Sequence, residues 1–241
     1  MSIENAKAKE SKRKEVRYAV SDDCRLQATI LLRSSDAATA SKTWPGTMVD
    51  MSSKGAHIQI SLGAVAYTGD SCVLTLSHGG VKTDVRGSLA HYVCSARYSV
   101  CGVRFDFLSE GSDKAYLPYF KAIVASSTLV AGAAGTESPG RHREEFVGSP
   151  HSKLVVWRDK PAGALLGFDF TMARYAASLD TVGEDMFKNK GQVQFKSATG
   201  GDGMALSRSH ELDARWEFSL AASNLPKAIA PDIRRLLRLC S

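Results

Sequence analysis

The feature that most limits how this chain can fold is a rhythm. From Val16 onward, short apolar or alternating runs recur between Gly, Ser, Asp and Asn residues, with no helical segment among them. The runs are Val16–Val20, Arg25–Leu32, Gly46–Asp50, Ala56–Ile60, Ser71–Leu76, Val81–Val93 and Arg97–Phe107. Ala56–Ile60 and Cys72–Leu76 each fit a strand with one buried face. His78-Gly79-Gly80, between two runs, reads as a hairpin turn. Seven short strands in this order predict a closed antiparallel barrel or a sandwich. Closure also removes the exposed sheet edges on which chains aggregate.

Residues 110–127 change period. Tyr116, Leu117, Phe120, Ile123 and Val124 share one face at helical spacing. Such a helix would cap an open end of the barrel, with Pro118 confined to its first turn. Residues 129–150, rich in Gly, Ala, Ser, Pro and charge, read as a linker. Beyond it Lys153–Trp157, Leu165–Phe170, Gln192–Lys196 and Arg215–Leu220 read as strands, Ala173–Leu179 as a short helix and Gly200–Gly203 as a turn. Pro231–Leu239 reads as a final helix, with Ile229, Ile233, Leu236 and Leu237 on one face and Pro231 near its start. The fold class expected is mainly β: a flexible basic arm (1–15), a barrel plus helix (16–128), the linker, and a smaller α+β domain (151–241).

Composition narrows the function. The 241 residues suit two domains, and no stretch approaches the roughly 20 apolar residues that cross a bilayer. The longest candidate, Ala122–Ala134, is broken by Ser126, Ser127 and Thr128. The leading MSIENAKAKE has no apolar segment after its charges, so the expected location is the cytoplasm. Five scattered cysteines with no CxxC pair argue against a disulfide framework and a zinc site. They read as reduced, mostly buried thiols. A net charge of +6 suits an anionic partner, and Lys7, Lys9, Lys12, Arg13, Lys14 and Arg17 concentrate that charge ahead of the first strand. There is no HExxH, GxSxG or P-loop, and His142-Arg143-Glu144 and His210-Glu211 lack a second ligand at metal spacing. Arg234, Arg235 and Arg238 read as complements to the dipole of the last helix. Neither catalytic residues nor a metal nor a cofactor is expected.

Two separated motifs carry chemistry. Arg13-Lys14-Glu15-Val16-Arg17 is an RxxxR just before the first strand, and Asp50-Met51-Ser52-Ser53-Lys54-Gly55 is a DxSxxG between two strands. Either alone is weak; the ordered pair within a strand-rich segment is specific. Over residues 10–128 the chain resembles the PilZ domain family, and Cys101-Gly102-Val103-Arg104-Phe105 is similar to another recurrent family feature. The resemblance implies a receptor for the bacterial second messenger cyclic di-GMP. In that reading Arg13 and Arg17 clamp guanine and phosphate from a flexible arm, while Asp50, Ser52 and Gly55 line the barrel wall. Lys12, Lys14, Ser53, Lys54 and Arg104 are further candidate contacts.

The residue types suit this ligand. A guanidinium can grip guanine O6 and N7 bidentately, stack on a base and carry a permanent charge. An aspartate accepts from guanine N1–H and N2–H, and glycine permits close backbone approach or a positive φ. The family implies control of motility, type IV pili, exopolysaccharide or virulence through a downstream protein partner. One alternative is a PilZ-like scaffold that binds no nucleotide, against which the intact motifs count. Another is a nucleic-acid-binding regulator, against which the lack of aromatic interleaving in the strands counts.

Overall fold

A computed structural model describes residues 15–33, 41–106, 112–138, 140–149, 151–180, 193–198 and 206–241. The expected runs in the first half form β1 (Tyr18–Ala19), β2 (Gln27–Arg33), β3 (Lys42–Ser52), β4 (Gly55–Ile60), β5 (Ser71–His78), β6 (Val81–Cys94) and β7 (Ser99–Phe105). Their order is β3-β2-β5-β6-β7-β4, and β4 pairs back onto β3. The result is a closed six-stranded antiparallel barrel, with β1 added beside β3. Alternation does what the sequence predicts: Ile30, Leu32, Met48, Ile58, Leu74, Leu76, Val85 and Val103 are buried inside. Burying each such side chain stabilises the fold by about 1.5–3 kcal/mol. Gly79 and Gly80 close the β5–β6 hairpin at φ 55° and 84°, the pair of positive values that the tightest hairpin turns require.

The helix α1 (Ser112–Ser127) follows β7 and lies against the barrel. Tyr116 is buried with its ring edge on Phe105, and its hydroxyl donates to the Ser52 carbonyl at 2.7 Å. Tyr119 similarly donates to the Val81 carbonyl at 2.9 Å. Pro118 departs from its expected place, because the helix begins at Ser112 and the proline sits inside it.

The segment expected as a linker is instead a hairpin. The strands β8 (Val130–Ser138) and β9 (Arg141–Val147) pair with each other and continue into β10 (Lys153–Arg158), β11 (Leu165–Thr171), β12 (Tyr175–Asp180) and β13 (Gln194–Ser197). Together these make a six-stranded antiparallel meander. Its Gly and Ala content misleads because β8 is an edge strand, exposed along Ala131–Gly135, where packing does not demand large side chains.

Two further expectations reverse. The residues 173–179 read as a helix lie largely in strand β12, and 215–220, read as a strand, lie in helix α2 (Arg208–Ser223). Trp216, Phe218 and Leu220 alternate locally like a strand, but the longer buried set Ala214, Phe218, Ala221 and Ala222 has the period of a helix. Ser207 accepts from the His210 amide and caps the start of α2. The last helix, α3 (Pro231–Leu239), stands as expected, with Pro231 in its first turn. Gly200–Gly203 and residues 1–14 lie outside the described residues.

Helix α2 joins the two sheets. Phe218 stacks on Phe168 of the meander, while Trp216 meets Tyr119 of α1 edge-on at 4.7 Å. One buried cluster therefore runs from barrel to meander. Buried Arg158 adds a polar tie, donating to Glu144 at 2.7 Å and to Asp232 of α3 at 2.6 Å. The arginines of α3 do more than complement its dipole: Arg234 and Arg238 both pair with Asp23, between β1 and β2. All five cysteines are free; Cys72 and Cys101 are buried, and Cys94 is exposed.

Candidate functional site

Arg17 of the first motif and Asp50 of the second meet on the outer wall of the barrel. Strand β1 pairs with β3 so that Ala19 faces Asp50, which brings Arg17 alongside. Its Nη1 donates to Asp50 Oδ1 at 2.6 Å. A bulge in β3 between Met48 and Asp50 makes this possible. Met48 and Met51 both point inward, and the residue added by the bulge leaves Val49 and Asp50 both facing out.

Asp50 has a second partner that the motifs do not contain. His57 of β4 contributes Nδ1 at 2.7 Å from Asp50 Oδ2. Burial pushes the Asp50 carboxyl up, but His57 and Arg17 outweigh it and hold the group below the usual carboxylate range. The row continues across the sheet. His57 faces Gly102 of β7, and a β6 bulge between Leu89 and His91 turns His91 over Gly102 to meet the His57 ring edge-on at 4.9 Å. A side chain at 102 would occupy the volume of the His91 ring. Gly102 thus serves this histidine pair.

The rest of DxSxxG builds the turn. Ser52 is buried, its Oγ donating to the Gly55 carbonyl at 3.2 Å and accepting from the Lys54 amide at 3.3 Å. Gly55 is not in a positive-φ conformation. A Cβ there would collide with the Val103 carbonyl oxygen of β7. These two residues shape the wall from within, whereas the sequence suggested that they face the ligand. Ser53 and Lys54 lie at the exposed tip of the turn and hold Glu15, at 2.6 and 3.1 Å. Arg104 faces Gly55 across β4–β7 and is exposed beside Ser88. Lys12, Arg13 and Lys14 lie outside the described residues.

The site therefore presents a guanidinium, an ionised carboxylate, two imidazoles, a lysine and a second arginine on one wall. Sequence reasoning missed His57, His91 and Glu15. Glu15 stood inside RxxxR; the histidines gave no signal at motif spacing, because strand pairing alone brings them beside Asp50. Among the described residues no group of three or more metal-ligating side chains converges. A cavity of about 610 Å³ on the meander, lined by Arg141, Trp157, Asp169 and Gln194, contains none of the motif residues.

Compared with known families, residues 11–120 match the model of the PilZ domain. Over these residues the chain is similar to a PilZ domain. The match covers the closed barrel, both motifs and the first part of α1, so the PilZ domain accounts for every residue of the site. Among curated proteins, none matches the chain. The PilZ family takes cyclic di-GMP as its ligand. No described helix is long and apolar enough to cross a membrane.

Proposed function

We propose that this protein is a non-enzymatic receptor for cyclic di-GMP, with Arg17, Asp50 and the β3–β4 turn as its binding wall. One observation carries the reading: the 2.6 Å contact between Arg17 and Asp50, which unites two motifs 33 residues apart. Guanine needs both groups. A guanidinium answers its O6 and N7 acceptors, and a carboxylate answers N1–H and N2–H. Asp50 is already engaged by Arg17 and His57, yet an ionised carboxylate has about four acceptor sites, so capacity remains. Arg13, one helical turn's worth of residues upstream, is the second clamp in this reading, with Lys12 and Lys14 adding attraction for the two phosphates. Ser52 and Gly55 act indirectly, through the shape of the turn. Arg104 borders the same wall.

Binding at the arm has a route outward. Tyr18, next to Arg17, meets Phe120 of α1 edge-on at 5.7 Å, and Ser21 is bonded to Asn224 at the end of α2. Ligand that repositions the arm therefore shifts the packing between barrel and α2. The output we propose is a downstream protein in the control of motility, pili, exopolysaccharide or virulence, reached in the cytoplasm.

Calorimetric titration of the full chain with cyclic di-GMP, with GTP as control, tests the reading. Saturable binding of the dinucleotide alone is expected, and Arg17→Ala should weaken it at least tenfold, about 1.4 kcal/mol. Absence of heat with the wild-type chain refutes the receptor; unchanged affinity in the variant removes Arg17 from the site.

A further inference from the structure

The tip of the β3–β4 turn holds an anion that belongs to the chain itself. Glu15 Oε2 accepts from Ser53 Oγ at 2.6 Å, and Glu15 Oε1 lies 3.1 Å from Lys54 Nζ. Each carboxylate oxygen thus has its own donor, one a hydroxyl and one an ammonium. The tip is held in shape beneath them: the Lys54 amide donates to Ser52 Oγ, and the Lys54 carbonyl accepts from the Phe105 amide at 2.9 Å. Two donors set for two oxygens of one anion also match the two non-bridging oxygens of a phosphodiester, and charge-assisted bonds favour that pairing. Glu15 precedes Arg17 by two residues, so this anion sits on the wall where Arg17 meets Asp50.

We infer that Ser53 Oγ and Lys54 Nζ form a phosphate subsite, and that Glu15 is its built-in competitor, which must leave before a phosphodiester takes the two donors. The inference rests on the receptor reading above and names the place of one phosphate within it. The Ser53 and Lys54 contacts hold the Glu15 carboxyl below its ordinary range, so the competitor is charged at neutral pH. It repels an incoming phosphate as well as covering its donors. Lys54 is largely exposed, and exposed ion pairs are weak. Glu15 therefore sets the ligand concentration at which the arm is released, and it does not block the site outright.

The full chain and its Glu15→Gln variant, titrated with cyclic di-GMP at fixed salt, decide this. Gln keeps the size and removes the charge, so the variant should bind about threefold tighter, within the range an exposed pair can supply. Lys54→Met should weaken wild-type binding and abolish the gain from Glu15→Gln. Equal or weaker binding by Glu15→Gln, with wild-type binding intact, overturns the inference and leaves the receptor standing. A second measurement is independent of the dinucleotide: amide NMR shifts of Ser53 and Lys54 on titration with inorganic phosphate. A response that is stronger in Glu15→Gln than in wild type supports the subsite. If no chain binds cyclic di-GMP, the receptor reading fails and this titration judges the subsite alone, silence at both amides removing it.

Discussion

Gly55 and Gly102 illustrate how a binding motif can be a packing motif. Gly55 meets the Val103 carbonyl across the β4–β7 ladder, and Gly102 lies beneath the His91 ring across the β6–β7 ladder. The obstacle at 55 is backbone, which cannot rotate away, while at 102 it is a side chain that can. Gly55→Ala should therefore destabilise the barrel by about 1–3 kcal/mol, the usual range for overpacking. It should also displace Ser53 and Lys54, because Ser52 Oγ bonds to the Gly55 carbonyl. Urea unfolding checks the first effect; a stability within error of wild type would show that the strands part without loss. At this scale the site was half legible. Arg17 and Asp50 could be read from motif spacing, and the structure sets them in contact. The roles of Ser52 and Gly55 could not, since both depend on which strand lies behind the turn. His57 and His91 were invisible for a related reason: two bulges aim Asp50 and His91 outward, and bulges leave no mark in a period-two pattern.

Between elements, the end of β5 and the flank of α2 share a buried histidine. His78 lies 3.1 Å from Ser219 Oγ through Nε2, and its carbonyl accepts from Trp216 Nε1 at 2.8 Å. Burial depresses its pKa; a contact with the Arg25 carbonyl opposes this, and the Arg25 charge reinforces it. An unfolded chain takes up this proton near pH 6.5, the folded one only at lower pH. Since the unfolded state then binds more protons, stability is full above about pH 6.5 and declines as pH falls toward the folded value. The urea midpoint of wild type should drop between about pH 7.5 and 5.5 by more than that of His78→Gln, which keeps an amide for Ser219 and does not titrate. Parallel midpoints in the two proteins would place the acid sensitivity elsewhere. The positions of the barrel strands were legible because each strand buries one face in a closed core, although β3 begins at Lys42, four residues before the expected run at Gly46. In the second half the same signal failed twice. Helix α2 is packed on two sides, by the meander and by α1, so apolar residues fall on adjacent positions and mimic a strand over 215–220. Strand β12 spells Tyr-Ala-Ala-Ser-Leu-Asp, and pairing on both edges overrides the helical preference of its two alanines and its leucine.

Across the whole molecule, the segment after β1, helix α1 and helix α2 converge on one side chain. Asn224, buried at the end of α2, accepts from the Ser21 amide at 2.7 Å through Oδ1. Its Nδ2 donates to Ser126 Oγ of α1 at 3.0 Å. Ser21 is only four residues beyond Arg17, and Ser223 beside Asn224 accepts from the Arg25 amide at 3.2 Å. The segment after β1 is thus stitched to α2 on the same stretch that leads from the proposed ligand clamp. Coupling between distant sites requires an element that both can bias, and this stitched segment is the physical candidate. Asn224→Ala would leave the half-buried Ser21 amide without this partner, at about 1 kcal/mol. It would also remove the Ser21 link between the segment after β1 and α2 while leaving Arg17 and Asp50 in place. Hydrogen exchange separates these effects. In wild type, cyclic di-GMP should slow exchange both at the β3–β4 turn and along 208–223. In Asn224→Ala the turn should still respond while α2 does not. If α2 responds equally in both proteins, the signal travels by the Ser223–Arg25 bond or the Tyr18–Phe120 contact, and Asn224 is a structural clasp alone.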